Sequence, residues 1–248
     1  MLLLFDIGNT HTHVGLADAQ RVVKQGDIPT HSWRAGGAAG RIEHFAGNCP
    51  INGVALCSVV PLVTPLVKRY VQQAWKLEAL ELNSKTVRGV GVDYPKPKSI
   101  GPDRLANAVA ARQRFGAPVV VVDFGTAVTF DVVDGRGCYV GGIIAPGLSV
   151  MTNYLHEKTA LLPKIQIREI RTVIGKSTEE AMLTGAVHGY RGLVRELIRE
   201  LKRELRARKL PVVATGGYAK LIAAGLPEIG AVAPDLTLEG LRQVWHST

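Results

Sequence analysis

Residues 3–10 read Leu3-Leu4-Phe5-Asp6-Ile7-Gly8-Asn9-Thr10, an apolar run that ends in a polar turn. Residues 120–126 repeat this pattern one residue shorter, as Val120-Val121-Val122-Asp123-Phe124-Gly125-Thr126. A second run of strand-forming residues follows each copy, at positions 12–16 and 128–133. Each copy therefore predicts a β-hairpin whose turn carries a carboxylate, a glycine and hydroxyl groups.

The two copies lie about half the chain apart, which indicates an internal duplication. A chain of 248 residues can form two domains of ~120 residues each. We expect an α/β fold in which residues 1–116 and 117–248 form two similar domains with a nucleotide cleft between them. Outside the repeats, apolar patterns predict strands at 54–59 and 77–82, and helices at 64–75, 148–158 and 178–208.

The composition of the two turns suits a nucleoside triphosphate and its metal ion. Gly8 and Gly125 let backbone N–H groups approach phosphate oxygens, and neighbouring side chains add further donors. Asp6 and Asp123 repel phosphate but can hold a cation, and Mg²⁺ reaches proteins through one or two carboxylates, often through its waters. The alternative is a pair of ordinary hairpins with Asx-type turns. The repetition at half-chain spacing favours the nucleotide interpretation.

Four motifs, in this order along nearly the whole chain, resemble those of the type III pantothenate kinase family. They are Asp6-Ile7-Gly8-Asn9-Thr10, Gly101-Pro102-Asp103-Arg104, Asp123-Phe124-Gly125-Thr126-Ala127 and Thr215-Gly216-Gly217. The family belongs to the actin-like superfamily of acetate and sugar kinases, Hsp70 and actin, so the resemblance implies two duplicated actin-like (ribonuclease H-like) domains. The chain departs from the family at Pro102, where Ala is usual, and at His11, where Asn or Arg is usual.

The resemblance also implies an activity, cofactors and an assembly. The reaction is ATP-dependent phosphorylation of pantothenate to 4′-phosphopantothenate, the first step of coenzyme A biosynthesis. Asp103 is then the general base, Asp6 holds Mg²⁺ directly or through water and phosphates, and Asp123 binds a monovalent cation, K⁺ or NH₄⁺. Pantothenate and ATP are the expected small-molecule partners, and a homodimer is the expected assembly.

The same resemblance assigns binding residues to each substrate. Those for ATP are Asp6, Ile7, Gly8, Asn9, Thr10, His11, Thr12, His13 and Thr126. Those for pantothenate are Tyr94, Gly101, Pro102, Asp103, Arg104 and Thr178. The Thr215-Gly216-Gly217 turn corresponds to the adenosine motif of actin-like kinases.

The residues around position 101 support a role in binding an anion. Pro102 suits the first position of a helix, which places Asp103 and Arg104 in its first turn. Asp103 at a helix start can be explained by the helix dipole alone, but Arg104 is unfavourable there unless it has an anionic partner. The planar guanidinium matches a substrate carboxylate.

Three further motifs leave alternatives open. Thr178 precedes two glutamates at the start of the long predicted helix, so it is either a helix cap or a substrate contact. Residues 141–147 are rich in glycine and form either a phosphate loop or a close strand–helix packing. His11 and His13 should lie on one face of a strand, but a transition-metal site needs more ligands than these two.

Composition limits the other function classes. Hydrophobic residues make up 46% of the chain, yet no apolar stretch reaches the length of a membrane span, and the N-terminus lacks the basic start of a signal peptide. We therefore expect a cytoplasmic protein without a membrane partner. The three cysteines form no C-x-x-C pair, and we expect them to be buried. The net charge is +9, and lysines and arginines cluster at 195–209, where they alternate with glutamates as on a solvated helix, so we expect no nucleic-acid partner.

Two rival functions remain. One is another actin-like kinase, acting on acetate or a sugar, against which stand the compact size and the 101–104 motif. The other is a non-enzymatic accessory factor for transcription, a role also described for members of this family. The presence together of Asp6, Asp103, Asp123 and Thr126 favours catalysis.

Overall fold

The computed structural model describes residues 1–248, which alternate between strands and helices. The strands are β1 (Leu2–Ile7), β2 (His11–Ala17), β3 (Val22–Pro29), β4 (Gly53–Ser58), β5 (Ala79–Glu81), β6 (Gly91–Val92), β7 (Val119–Phe124), β8 (Ala127–Val133), β9 (Cys138–Pro146), β10 (Val212–Thr215) and β11 (Ala231–Val232). The helices are α1 (Ser32–Ala35), α2 (Ala38–Ala46), α3 (Thr64–Trp75), α4 (Pro102–Phe115), α5 (Leu148–Lys158), α6 (Thr178–Thr184), α7 (Tyr190–Glu204), α8 (Ala219–Ala223) and α9 (Leu236–His246). A 3₁₀ turn covers Pro97–Ser99, and a π-helical segment, Gly185–Gly189, joins α6 to α7.

The chain divides into two compact units. Unit 1 contains Met1–Gly116, Gly137–Val140 and Asp235–Thr248, and unit 2 contains the remainder. The boundary expected after residue 116 coincides with a boundary between the units, whereas residues 137–140 and 235–248 belong to unit 1 and not to the second half of the chain. The division into two domains at 116/117 stays a prediction.

β1 is the central strand of the sheet in unit 1, whose order is β3-β2-β1-β4-β5. It pairs antiparallel with β2 and parallel with β4. On one face Leu3, Phe5 and Ile7 pack with Ile42 of α2 and Val67 of α3. Helix α9 contacts the strand as well, and α4 and α9 both contact β4. Because helices cover the sheet, β1 reads as a continuous apolar run with no alternation of polar residues.

Helices α4 and α9 cross at very short distance within unit 1. A Cβ atom at Gly240 would lie 2.0 Å from the carbonyl oxygen of Ala106, so only glycine allows this crossing. Beside it, Thr237 Oγ1 donates a buried hydrogen bond to Asn107 Oδ1 at 2.8 Å. The C-terminal helix thereby fixes the helix that begins at Pro102.

The sheet of unit 2 repeats the arrangement of unit 1. This second sheet has six strands in the order β6-β9-β8-β7-β10-β11, in which β7 pairs antiparallel with β8 and parallel with β10. The hairpin β1–β2 and its parallel neighbour β4 have the same arrangement in unit 1. Both predicted hairpins are confirmed, and the shared strand order supports an internal duplication.

Several local expectations need correction. Residues 141–147 are not a loop, because positions up to Pro146 continue β9. The helix expected over 178–208 is interrupted by the π-helical segment and ends at Glu204. Among the cysteines, Cys57 is buried as expected, but Cys49 is exposed. No helix of the protein is both long enough and apolar enough to cross a membrane.

Candidate active site

The first hairpin turn is held by hydrogen bonds that leave its tip exposed. Gly8 N donates to His11 O at 3.0 Å, and Thr30 Oγ1 donates to Gly8 O at 2.7 Å. The hydroxyls of Thr12 and Thr30 lie 3.1 Å apart in the buried interior. Asn9 at the tip is exposed. The turn is therefore a fixed frame with polar groups directed to its surface.

Asp6 lies at the end of β1 and is partly buried. The thiol of Cys57, its register partner on β4, donates to Asp6 Oδ1 at 3.3 Å. Burial raises the pKa of Asp6 to about 6; the charge of Asp103 adds to this rise, and the charge of His13 opposes it. Because the folded-state pKa exceeds the ordinary value of 3.8, ionisation of Asp6 disfavours the fold; the penalty is complete above about pH 6 and decreases gradually as the pH falls from 6 towards 3.8.

His13 is the register partner of Asp6 on β2, and Asp27 of β3 lies next to it. His13 Nδ1 and Asp27 Oδ1 are 2.5 Å apart, and both side chains are about half exposed. The rings of His11 and His13 lie 6.4 Å apart, on the same face of the strand as expected. Asp27 was not anticipated from the sequence, because its partnership with His13 depends on the pairing of β2 with β3.

Asp103 lies in the first turn of α4, as the sequence predicts. Pro102 occupies the first helical position and Gly101 the N-cap. Arg104 N donates to Asp103 Oδ1 at 2.9 Å, while burial raises the pKa of the Asp103 carboxyl above its ordinary value. A Cβ atom at Gly101 would lie 2.5 Å from Asp103 Oδ1, so the carboxylate occupies space that only a glycine leaves open.

Arg104 lies against a pair of tyrosines in unit 1, of which Tyr139 contacts it. The guanidinium carbon lies 5.7 Å from the ring centre of Tyr139, which stacks edge-on against Tyr94 at 6.1 Å. Tyr139 is only 1% exposed. It escaped the sequence prediction because the glycines that follow it obscured the strand pattern of β9. The structure thus brings the expected Tyr94 and Arg104 together around a tyrosine that was not expected.

The second hairpin turn in unit 2 packs tightly against two glycines. Gly147 N donates to Thr126 O at 3.0 Å, and a Cβ atom at Gly147 would lie 2.2 Å from the same oxygen. Gly216 has a φ of +88°, and its Cβ would lie 2.6 Å from Asp123 Oδ1. The glycine-rich segment and the Thr215-Gly216-Gly217 turn therefore approach the Asp123 turn, which favours close packing over a separate phosphate loop.

The hydrogen bonds at the start of α6 show whether Thr178 serves as the helix cap. Ser177 is the N-cap, and its Oγ accepts a hydrogen bond from Glu180 N at 3.2 Å. Glu180 in turn accepts from Lys176 N at 2.7 Å. Thr178 is exposed at the first helical position, so its hydroxyl is not needed as the cap. Asp123, Thr126 and Thr178 belong to unit 2, whereas Asp6, Tyr94, Asp103 and Arg104 belong to unit 1.

Comparison with known proteins places these observations in a family. A family model described as type III pantothenate kinase matches residues 2–200. A protein of this name from Akkermansia muciniphila is 46% identical over 241 residues, 97% of this chain and 96% of that protein.

Two solved structures share the fold at low sequence identity. One is a Campylobacter jejuni protein provisionally described as a Baf family transcriptional activator, 17% identical, with a TM-score of 0.63 over 99% of this chain and 98% of that one. The other is an inorganic polyphosphate/ATP-glucomannokinase from Arthrobacter, 14% identical, with a TM-score of 0.50 over 99% and 97% of the two chains. The expected actin-like α/β fold is thereby confirmed, and the chain belongs to the type III pantothenate kinase family.

Proposed function

We propose that the protein transfers the terminal phosphoryl group of ATP to the primary hydroxyl of pantothenate, giving 4′-phosphopantothenate for coenzyme A biosynthesis. The observation that carries this proposal is Asp103, a partly buried carboxylate with a raised pKa at the start of α4, in the motif that the resemblance assigns to pantothenate. Asp6, whose charge interacts with that of Asp103, lies in the same unit.

Asp103 acts as the general base in this proposal. Phosphoryl transfer passes through a loose transition state, so the placement of the attacking hydroxyl matters more than the strength of the base. The Arg104 N–H bond and the space left by Gly101 fix the Asp103 carboxylate in one orientation. A pKa raised by burial brings the carboxyl nearer to the operating pH, where a base accepts a proton most effectively.

Arg104 is the partner of the pantothenate carboxylate in this proposal. Its guanidinium can form two parallel hydrogen bonds to a carboxylate, and the ring of Tyr139 below it restricts its orientation. Tyr94 and Thr178 complete the substrate contacts together with the backbone of Gly101 and Pro102.

The two hairpin turns bind the nucleotide phosphates. In unit 1 this assignment covers residues 6–13, and its support is an exposed tip on a hydrogen-bonded frame. In unit 2 it covers Thr126, whose turn is fixed by Gly147. Backbone N–H groups and short polar side chains at such turns are suited to phosphate oxygens.

The two aspartates hold the cations. Burial raises the pKa of Asp6, and a bound divalent cation would offset the cost of its buried charge. When bound, Mg²⁺ neutralises phosphate charge. We assign Asp123, at the equivalent position of unit 2, to a monovalent cation, K⁺ or NH₄⁺.

We further propose that the protein functions as a homodimer in the cytoplasm. Helix α5 supports the dimer, because several large apolar side chains remain exposed on it. These are Val150, Met151, Tyr154 and Leu155. Contiguous exposed apolar surface is unusual on a monomer and is typical of an interface.

A coupled assay of ADP release tests the proposed activity. Purified protein with ATP, Mg²⁺ and K⁺ should release ADP only when pantothenate is added, and mass spectrometry should detect the phosphorylated product. Parallel reactions with acetate and a panel of sugars serve as comparison. ADP release that ignores pantothenate, or that prefers a sugar or acetate, would contradict the proposal.

A further inference from the structure

A cavity of about 520 Å³ in unit 1 opens beside the first hairpin turn. Its wall includes Asn9 at the tip of the turn, His31 and Arg34 from the segment after β3, and the apolar Val60 and Val63. No carboxylate belongs to the lining. The cavity therefore carries basic side chains and no acidic one, and it lies next to a turn suited to phosphate.

The segment that carries His31 and Arg34 is tied to the turn through its backbone. Thr30 N donates to Thr10 O at 3.0 Å, and Thr30 Oγ1 donates to Gly8 O at 2.7 Å. Arg34 N then donates to His31 O at 3.0 Å. The backbone that carries the two side chains is therefore held in place by its hydrogen bonds to the first hairpin turn.

The side chains in the recess match a phosphoryl group. Arg34 is exposed and forms no ion pair within the protein, and its planar guanidinium can bind two phosphate oxygens at once. The ring of His31 can donate a hydrogen bond in either protonation state, and the amide of Asn9 adds another donor.

We propose that Arg34 and His31 bind the terminal phosphate of ATP in this cavity. This inference rests on the proposed function and extends the nucleotide site beyond residues 6–13 to a second segment of unit 1. A free phosphate ion has the same chemistry, so the experiment must separate the two sources.

Calorimetric measurement of nucleotide binding in the absence of pantothenate separates the binding of ATP from the binding of free phosphate. Arg34→Gln should weaken the binding of a non-hydrolysable ATP analogue by roughly 10- to 100-fold, the value of one charge-assisted hydrogen bond, while leaving ADP affinity unchanged. His31→Ala should also weaken the binding of the analogue relative to the binding of ADP. Arg41→Gln is the matched control, because Arg41 is an exposed arginine of α2 that lines a different cavity.

An unchanged ratio of analogue affinity to ADP affinity in Arg34→Gln would overturn the inference. If the same variant also lost its binding of inorganic phosphate, the cavity would be assigned to a free anion. Failure of the proposed function looks different. In that case the wild-type protein would release no ADP with pantothenate, yet Arg34→Gln would still distinguish the analogue from ADP.

Discussion

Two carboxylates of unit 1, Asp6 and Asp103, have pKa values raised by burial, and each has a backbone or thiol donor that holds one oxygen in place. Burial without full compensation disfavours the folded state, so such a pair is hard to explain as a stabilising feature. Strongly perturbed carboxylates are typical of functional sites. The residue-scale predictions therefore concern these two groups and their partners.

Asp103→Asn tests the base. The change keeps size and helix-start preference but removes the proton acceptor, so kcat should fall by about 10²- to 10⁴-fold. Circular dichroism should show an intact fold, and Asp18→Asn, in the turn after β2, should leave kcat unchanged. If the variant retained more than about half of the wild-type turnover, Asp103 would not be the general base.

Cys57 contacts the Asp6 carboxylate, and we predict that it positions this group. In the register of unit 2, Thr215 lies beside Asp123 where Cys57 lies beside Asp6, so threonine is the natural replacement. Cys57→Val removes the donor and should raise the Mg²⁺ concentration for half-maximal activity by about 2- to 10-fold, the value of a single hydrogen bond. Cys57→Thr restores a donor of similar size and should return the requirement to near wild type. Equal Mg²⁺ requirements in the two variants would show that the thiol only fills space.

At the scale of elements, the start of α4 combines a glycine, a proline, the proposed base and an arginine in four consecutive residues. The helix dipole opposes an arginine in the first turn of a helix, and we predict that Arg104 binds a ligand that carries negative charge. The ring of Tyr139 and the crossing of α9 hold this helix end in place.

Arg104→Lys tests that explanation. Lysine keeps the charge but loses the planar fork, so KM for pantothenate should rise by about 10-fold or more while KM for ATP changes little. Arg112→Lys, at the opposite end of the same helix, provides the control and should change neither value. An equal rise in both KM values would mean that Arg104 does not bind the pantothenate carboxylate.

The elements that the sequence predicted well are those with a strong local pattern. Helices α3 and α5 match the predicted ranges, since each shows a continuous helical period and a clear end. β9 was missed because Gly141 and Gly142 interrupt its strand pattern, although its pairing with neighbouring strands compensates for them. α9 was not anticipated, because its place in unit 1 depends on contacts with residues more than a hundred positions earlier. The same limit hid Cys57 and Tyr139, whose roles depend on strand register.

At the scale of the whole molecule, the duplication supplies two aspartates that look alike in sequence and in strand position. Each is the second-last residue of its strand, β1 or β7, and precedes a glycine-containing turn. Their surroundings differ. Asp6 has a thiol and a histidine as register partners, whereas Asp123 has two threonines and lies against Gly216. Equivalent positions with different neighbours can serve different ions.

Asp6→Asn and Asp123→Asn should therefore reduce activity in different ways. Loss of Asp6 should reduce Mg²⁺-dependent turnover at every K⁺ concentration, because the divalent ion neutralises the phosphates. Loss of Asp123 should instead raise the K⁺ concentration that activity requires, since one carboxylate ligand of a weakly held ion is removed. The wild-type protein should be nearly inactive in sodium buffer and should recover with K⁺ or NH₄⁺. Titration of both variants against both ions measures this difference. If wild-type activity did not depend on K⁺, Asp123 would instead be a second Mg²⁺ ligand or a structural residue of the turn.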